Sequence, residues 1–593
     1  MFLINCRILN LSFLALIAKM EPWNQIMQEV AEGLWKAFTK LGIDIDVPTI
    51  LNNITEPTDS RYGDLSSILC FKLFGKDAKD MASKVVSKIE KISYIYKIEA
   101  VGGFINFRIN WKDYSRYVIR LAMDKNYGKL DIGRGKTVVV DFSSPNVARP
   151  FMVSHLRSTV IGQALINLYR YLGYKCVGIN YLGDWGTSFG KLLAAYRRWG
   201  DERKVKNNPI EELFNLYVRF HRELDSDPSL EVEAREWLKK LEMGDEEAIR
   251  LWKWFRQESI HEFSRIYDIL NVEFDLIEGE SEFVEKGKEI VQYAISKGIA
   301  SKDPDGSIVV KLEDYGLPNL IIMKSDGTTL YQTRDLAAAL SRYERFKFHR
   351  MLYVVGREQN TYFKQLFQTL KLLGYDWSDK CRHVSFGLLT IQGLKMATRY
   401  GRIVRVKDIL NAAFEKAESV VREKNPSLSD EEKKAVARAV SIGALKFSQL
   451  NANREENITF TIDKAIDFKG DTGPYIQYAY ARSCKILKRS GYNFRIEDAD
   501  FREFSEDPER SIVKLIAQFP TVLKGVSETY DVHLLARYIL DLAKRFTIFY
   551  DTKPVLREKN IGIRNARLVL VNATSNVLKS GLSILGIEAP ETI

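Results

Sequence analysis

Between Lys136 and Leu182 the chain runs through three segments: Lys136–Phe142 (KTVVVDF), Ser154–Leu172 and Lys175–Leu182 (KCVGINYL). The outer two are short and mostly apolar, the first rich in valine, without polar alternation, which marks strands buried on both faces. The middle one has helical length and periodicity. Strand, crossover helix and strand make a βαβ unit, and a parallel pair needs a crossover of this kind. The pattern returns downstream, with a helix at Tyr331–Phe346, a strand at Arg350–Val355, a helix at Gln359–Leu373 and a strand at Arg382–Leu389. Mostly helical, charge-rich residues, about 200–300, separate the halves. The expected core is therefore an α/β doubly wound parallel sheet over 136–405 with a helical insertion.

The flanks have a different character. Residues 20–110 read as a small α+β unit, with an amphipathic helix at Trp23–Leu41, a second near Ala78–Ile92 and a strand-like run Ile98–Ile109 around Gly102-Gly103-Phe104. Residues 111–135 read as a linker helix, and 406–593 as an all-α bundle. Residues 1–19 contain an apolar run, Ile8–Ala18, too short to span a bilayer. They are read as a leader or an over-long start, with Met20 as initiator in the second case. A cytoplasmic enzyme is expected, with organellar targeting by 1–19 left open, and no membrane partner. Cys6, Cys70, Cys176, Cys381 and Cys484 form no C-x-x-C and no close Cys/His pair. A disulfide framework and a protein-bound zinc are therefore not expected. The 88 basic against 77 acidic residues leave +11, which favours a polyanionic partner.

Two segments carry the chemistry. The first, residues 143–159 (SSPNVARPFMVSHLRST), leaves the first strand and enters the helix, with Ser154 as expected N-cap. A strand-to-helix loop at the carboxyl edge of a parallel sheet binds nucleotides, because free helix N–H groups face phosphates. Its stretch 143–155 contains no glycine, which excludes a G-x-G-x-x-G dinucleotide turn and an oxidoreductase built on one. The second segment, 392–402 (QGLKMATRYGR), follows the last strand. Its Lys395 and Arg399 between two glycines, with Arg402 just after the second, suit a loop that stabilises charge on a departing pyrophosphate.

Together the segments resemble the HIGH and KMSKS signatures of class I aminoacyl-tRNA synthetases, on a Rossmann-like sheet. SSPNVARPF with HLRST, NYLGDWGTSFG (180–190), KSDGTTLYQTRDLAAA (324–339), MATRYG (396–401) and GDTGPYIQYAYAR (470–482) narrow the resemblance to arginyl-tRNA synthetases. It implies ATP-dependent formation of arginyl-adenylate and transfer to the 3′ end of tRNA(Arg). ATP enters with Mg2+ as substrate, tRNA binding generally precedes activation, and the chain acts as a monomer. The catalytic groups implied are His155, Lys395 and Arg399. ATP contacts fall on Ser144, Asn146, Met152, Ser154 and His155, and on Met396 and Thr398.

For arginine, the resemblance places Asp335 against the guanidinium, with the Tyr331 hydroxyl beside it and Asp141 as a second acid. Tyr331 and Asp335 are four apart, which puts them on one helical face. Asn146 and Gln359 would hold the amino and carboxyl ends. For tRNA it points to Phe104 and Asn106 in the amino-terminal unit, and to Tyr475, Gln477 and Arg482 in the anticodon-binding bundle. Phe107 is expected in the core. Met152 and Ser154 stand where the signature has a histidine and a glycine. That departure raises a second reading, an impaired paralogue that binds tRNA or arginine without charging.

Overall fold

The computed structural model describes residues 21–391, 405–491 and 494–593. The 1–19 leader and the positions Lys395, Met396, Thr398 and Arg399 lie outside the described residues.

Thr137–Asp141 is the central strand of a five-stranded parallel sheet. The spatial order is Cys381–His383, Arg350–Tyr353, Thr137–Asp141, Lys175–Leu182, Leu276–Gly279. Valines fill this strand because both faces are covered. Val138 and Val140 pack into one core with Leu165 and Ile166 of the crossover helix Val153–Tyr171. Val139 faces a second core with Leu336 of helix Tyr331–Phe346 and Leu366 of helix Asn360–Leu372. The crossover helix sits so close that a Cβ on Gly162 would come within 2.2 Å of the Phe142 ring. Successive connections leave the central strand in opposite directions, so a crevice opens at the carboxyl end of the strand, at Asp141.

The outer strand Leu276–Gly279 corrects one boundary. It falls inside 200–300, which the sequence presents as insertion, yet it pairs with Lys175–Leu182. Four residues with an acidic centre (LIEG) carry no period of their own. The insertion proper comprises the helices from Glu202–Asn207 to Glu246–Leu270.

The amino-terminal unit is an antiparallel sheet, ordered Ile54–Thr55, Leu65–Ser67, Phe104–Ile109, Ile95–Val101. Where the sequence suggests one strand there is a hairpin, turning at Gly102 (φ 59°) and Gly103 (φ 95°). Two successive left-handed residues at such a turn call for glycine. The carboxyl third is helical, from Val406–Lys424 to Ile561–Ile584, apart from Ile458–Phe460, which pairs in parallel with Leu389–Ile391. Among the described residues no helix is long and apolar enough to cross a membrane.

Candidate active site

The loop after the central strand is held in an unusual shape. Ser143 (φ 72°), Ser144 (φ 48°) and Ala148 (φ 60°) adopt left-handed backbones without being glycine. The crossover helix begins at Val153 with Met152 as N-cap, so Ser154 is an exposed residue of the first turn and not the expected cap. His155 does the capping. Its Nδ1 accepts the Met152 N–H at 3.2 Å. Burial, with Arg149 nearby, pushes its pKa down to about 4. The ring is therefore neutral, and with Nδ1 engaged as acceptor the remaining proton sits on Nε2, a donor suited to a phosphate oxygen. Two residues on, the buried Arg157 donates to the carbonyls of Gly387 and Glu456 (both 2.6 Å) and Asn453 (3.0 Å). It ties this helix to the base of the strand pair flanking residues 392–404. At the far flank Arg405 bridges backbone-to-backbone with Met152 and forms an ion pair with Glu211 of the insertion.

At the switch point lies a cavity of about 430 Å³, with Asp141, Asn146, Tyr331, Asp335, Gln359 and Tyr362 in its wall. All five residues implied for arginine thus meet in one place, and Tyr331 and Asp335 share the face predicted. Two roles change. The hydroxyl that donates to Asp335 belongs to Tyr362, at 2.5 Å, while the Tyr331 ring packs edge-on to Tyr362 at 5.0 Å. Asp141 is already neutralised by the protein. Its Oδ2 accepts from the buried Arg342 at 2.8 Å and its Oδ1 from Ser144 Oγ at 2.9 Å. Glu280, a cavity residue that sequence reasoning missed, is paired with Arg334. Of Asp141, Glu280 and Asp335, only Asp335 has no ion-pair partner among the described residues, and Glu358, also in the wall, is exposed. Burial, reinforced by Glu280 and against the pull of Tyr362, raises its pKa to about 7.

A second cavity of about 230 Å³ shares Asn146, Gly183, Glu280 and Tyr331 with the first and adds Arg149 and Lys324. Gly183 approaches Asn146 so closely that a Cβ would lie 2.2 Å from its Oδ1. The neighbouring Asp184, fully buried, accepts from Ser281 N–H (3.0 Å), Ser281 Oγ (2.9 Å) and Arg256 Nε (2.8 Å). This block braces the turn that carries Glu280. Among the described residues no cluster of His, Cys, Asp or Glu is arranged to hold a metal ion.

Residues 118–462 match the family described as tRNA synthetases class I (R), catalytic domain. The chain belongs to the arginyl-tRNA synthetases. Residues 24–109 match the arginyl tRNA synthetase N terminal domain, and 476–593 the DALR anticodon binding domain. The arginine–tRNA ligase of Halothermothrix orenii is 42% identical over 553 residues, covering 92% of this chain and 97% of its own. Arginine–tRNA ligase 2 of Bacillus anthracis is 43% identical over 567 residues, covering 95% and 99%. The arginyl-tRNA synthetase structures from Thermus thermophilus (TM-score 0.76, 24% identity, 95% of this chain and 99% of that one) and Plasmodium falciparum (0.78, 24%, 96% and 98%) share the fold.

In this synthetase the amino-terminal hairpin presents Phe104, 41% exposed, with Phe71 edge-on at 4.8 Å and equally open. Phe71, missed in the sequence, comes from a helix thirty-three positions earlier. Asn106 is not at the surface, where a base reader would sit. It lies buried beside Ser66, which donates to its Oδ1, while its Nδ2 has no partner among the described residues. Phe107 is in the core. In the helical carboxyl third, Tyr475, Tyr478 and Arg482 line a cavity of about 670 Å³ together with Lys424, Lys469 and Lys485. The Arg482 guanidinium stands over the rings of Tyr478 (4.9 Å) and Tyr550 (4.5 Å). Gln477 is corrected out of this surface. It is fully buried, and its Nε2 donates to Ala439 O (3.0 Å) and Glu588 O (2.8 Å), as its place one position from Tyr478 on the helix turns it inward.

Proposed function

We propose that this synthetase activates L-arginine with ATP and transfers it to tRNA(Arg). The arginine carboxylate attacks the α-phosphate of ATP, forming a P–O bond as pyrophosphate leaves, and gives arginyl-adenylate. A terminal ribose hydroxyl of the tRNA then attacks the carbonyl carbon, and AMP leaves. Magnesium enters with ATP as part of that substrate. The observation that carries the reading is Asp335: a recessed carboxylate without a cation, in a cavity at the switch point that also holds Asn146. A planar guanidinium supplies the missing charge and the fork geometry. Asn146 and Gln359 orient the amino and carboxyl ends, and His155 donates from Nε2 to a phosphate. Ser144, Met152 and Ser154 frame the nucleotide, with Lys395, Met396, Thr398 and Arg399 assigned to the same side by resemblance. A monomer is the oligomeric state that the resemblance implies.

The test is pyrophosphate exchange with arginine, ATP and tRNA(Arg). Exchange is expected; its absence under arginine saturation would favour the non-charging paralogue. Met152→His restores a phosphate donor at the signature position and is expected to raise the exchange rate about tenfold, the worth of one charge-assisted hydrogen bond. A fall would mean that the loop depends on methionine at its N-cap.

For tRNA, Phe104 with Phe71 suits an unpaired base. The Tyr475, Tyr478 and Arg482 cavity joins aromatic faces to cations, the combination that holds single-stranded nucleotides. Phe104→Ala and Arg482→Ala should each weaken tRNA binding by about 1–3 kcal/mol, read as a rise in the tRNA KM with the arginine KM unchanged.

A further inference from the structure

The last helix of the insertion, Glu246–Leu270, reaches into the left-handed loop at 143–148. Such backbones persist in non-glycine residues only where the surroundings over-determine them, and two hydroxyls of this helix supply part of the constraint. Tyr267 Oη and Ser143 Oγ share a hydrogen bond of 2.8 Å, and Asn180 Nδ2 donates to Tyr267 Oη at 3.1 Å. Asn180 Oδ1 in turn accepts the Ser144 N–H at 3.2 Å. Further along, the Ala148 N–H donates to Ser259 Oγ at 2.8 Å, and that hydroxyl donates to Phe255 O at 2.7 Å. The helix therefore grips all three strained residues, Ser143 and Ala148 directly and Ser144 through Asn180. Between the grips stands Asn146, in the wall of both cavities. Neither Tyr267 nor Ser259 lines either cavity. Burial holds the Tyr267 phenol well above its ordinary range, so it stays protonated at working pH.

We propose that Tyr267 and Ser259 are positioning residues for amino acid activation, fixing the 143–148 loop so that Asn146 and Ser144 meet the reacting ends of arginine and ATP. The inference rests on the active-site placement proposed for Asn146 and Asp335. It makes the insertion part of the catalytic framework, because the strained conformation is not one that the loop sequence SSPNVA favours by itself.

The experiment uses the full chain in pyrophosphate exchange with tRNA(Arg). Tyr267→Phe removes one oxygen and keeps the ring packed on Phe151 (5.6 Å) and Phe274 (4.8 Å), so an unchanged Tm is expected. The exchange kcat should fall about tenfold to a hundredfold, the scale of a small misplacement of reacting groups, with the ATP KM within about threefold of the parent's. Ser143→Ala should fall likewise, and the double variant Tyr267→Phe/Ser143→Ala should lose less than the sum of the two single losses, since both remove the Tyr267–Ser143 contact while each also loses a partner of its own, Asn180 or Thr159. A merely structural contribution would lower Tm and add. Ser259→Ala tests the second grip independently and decides the question if Tyr267→Phe folds poorly. An exchange rate within about twofold of the parent's in the folded variants, or additive losses in the double variant, would overturn the proposal. Asp335→Ala run alongside separates the two readings. Full activity there refutes the site itself, whereas its loss beside an unimpaired Tyr267→Phe refutes only the positioning role.

Discussion

Asp335→Asn lowers kcat/KM for arginine by about two to four orders of magnitude and leaves ATP binding within a few-fold. The substitution keeps the shape and the hydrogen bond from Tyr362 but removes a recessed cavity carboxylate that has no ion-pair partner among the described residues, the other such carboxylate, Glu358, being exposed. Breaking a buried ion pair from one side costs about 3–5 kcal/mol, because the remaining charge stays desolvated and unpaired. Here the stranded charge would be the substrate's own guanidinium. Asp141 cannot substitute, since Arg342 holds it, and Glu280 is held by Arg334. Asp335→Ala removes the acceptor as well and should abolish arginine use. Steady-state exchange kinetics with arginine titrated at saturating ATP and tRNA check this. An unchanged arginine KM and kcat in Asp335→Asn would remove the pocket assignment altogether.

The arginine KM rises as pH falls through about 7. Without substrate the Asp335 carboxyl holds its proton up to about 7, chiefly because burial disfavours the anion. The guanidinium is charged throughout this range and binds the carboxylate, so binding expels a proton. Each pH unit below 7 then costs up to about tenfold in apparent affinity, and above about 7.5 the profile is flat. The sign for stability follows the same linkage. A carboxyl whose folded pKa is raised favours the native state fully below its unfolded value of 3.8, and that contribution disappears as pH rises through about 7. Arginine restores it by pairing with the anion, so the rise in Tm on adding arginine should be larger at pH 8 than at pH 5.5. Asp335→Asn should flatten both profiles. A pH-independent arginine KM between pH 5.5 and 8 in the parent enzyme would contradict the burial of this charge.

Much of this synthetase is legible along the chain. The valine-rich strands, the crossover helix and the spacing of Tyr331 and Asp335 are local patterns, and local hydrophobic periodicity follows directly from residue order. The family resemblance leads to Asp141, Asn146, Tyr331, Asp335 and Gln359, which share one cavity. What the chain does not reveal are pairings between distant segments. Tyr362 takes the place beside Asp335 expected for Tyr331, because the second helix passes the first at the depth of the carboxyl and Tyr331 sits a turn nearer the opening, 41% exposed. Asp141, expected as a second acid at the site, also pairs with Arg342, about two hundred positions away. Gln477 and Asn106 carry the right chemistry for nucleic acid, but packing turns both inward. The short strand Leu276–Gly279 exists only because Lys175–Leu182 offers it an edge. Sequence order determined which segments would be helix or strand and which side chains carry charge. Only the tertiary structure decided which charges cancel within the protein and which one is left for the substrate, because burial and pairing depend on neighbours that residue order does not bring together.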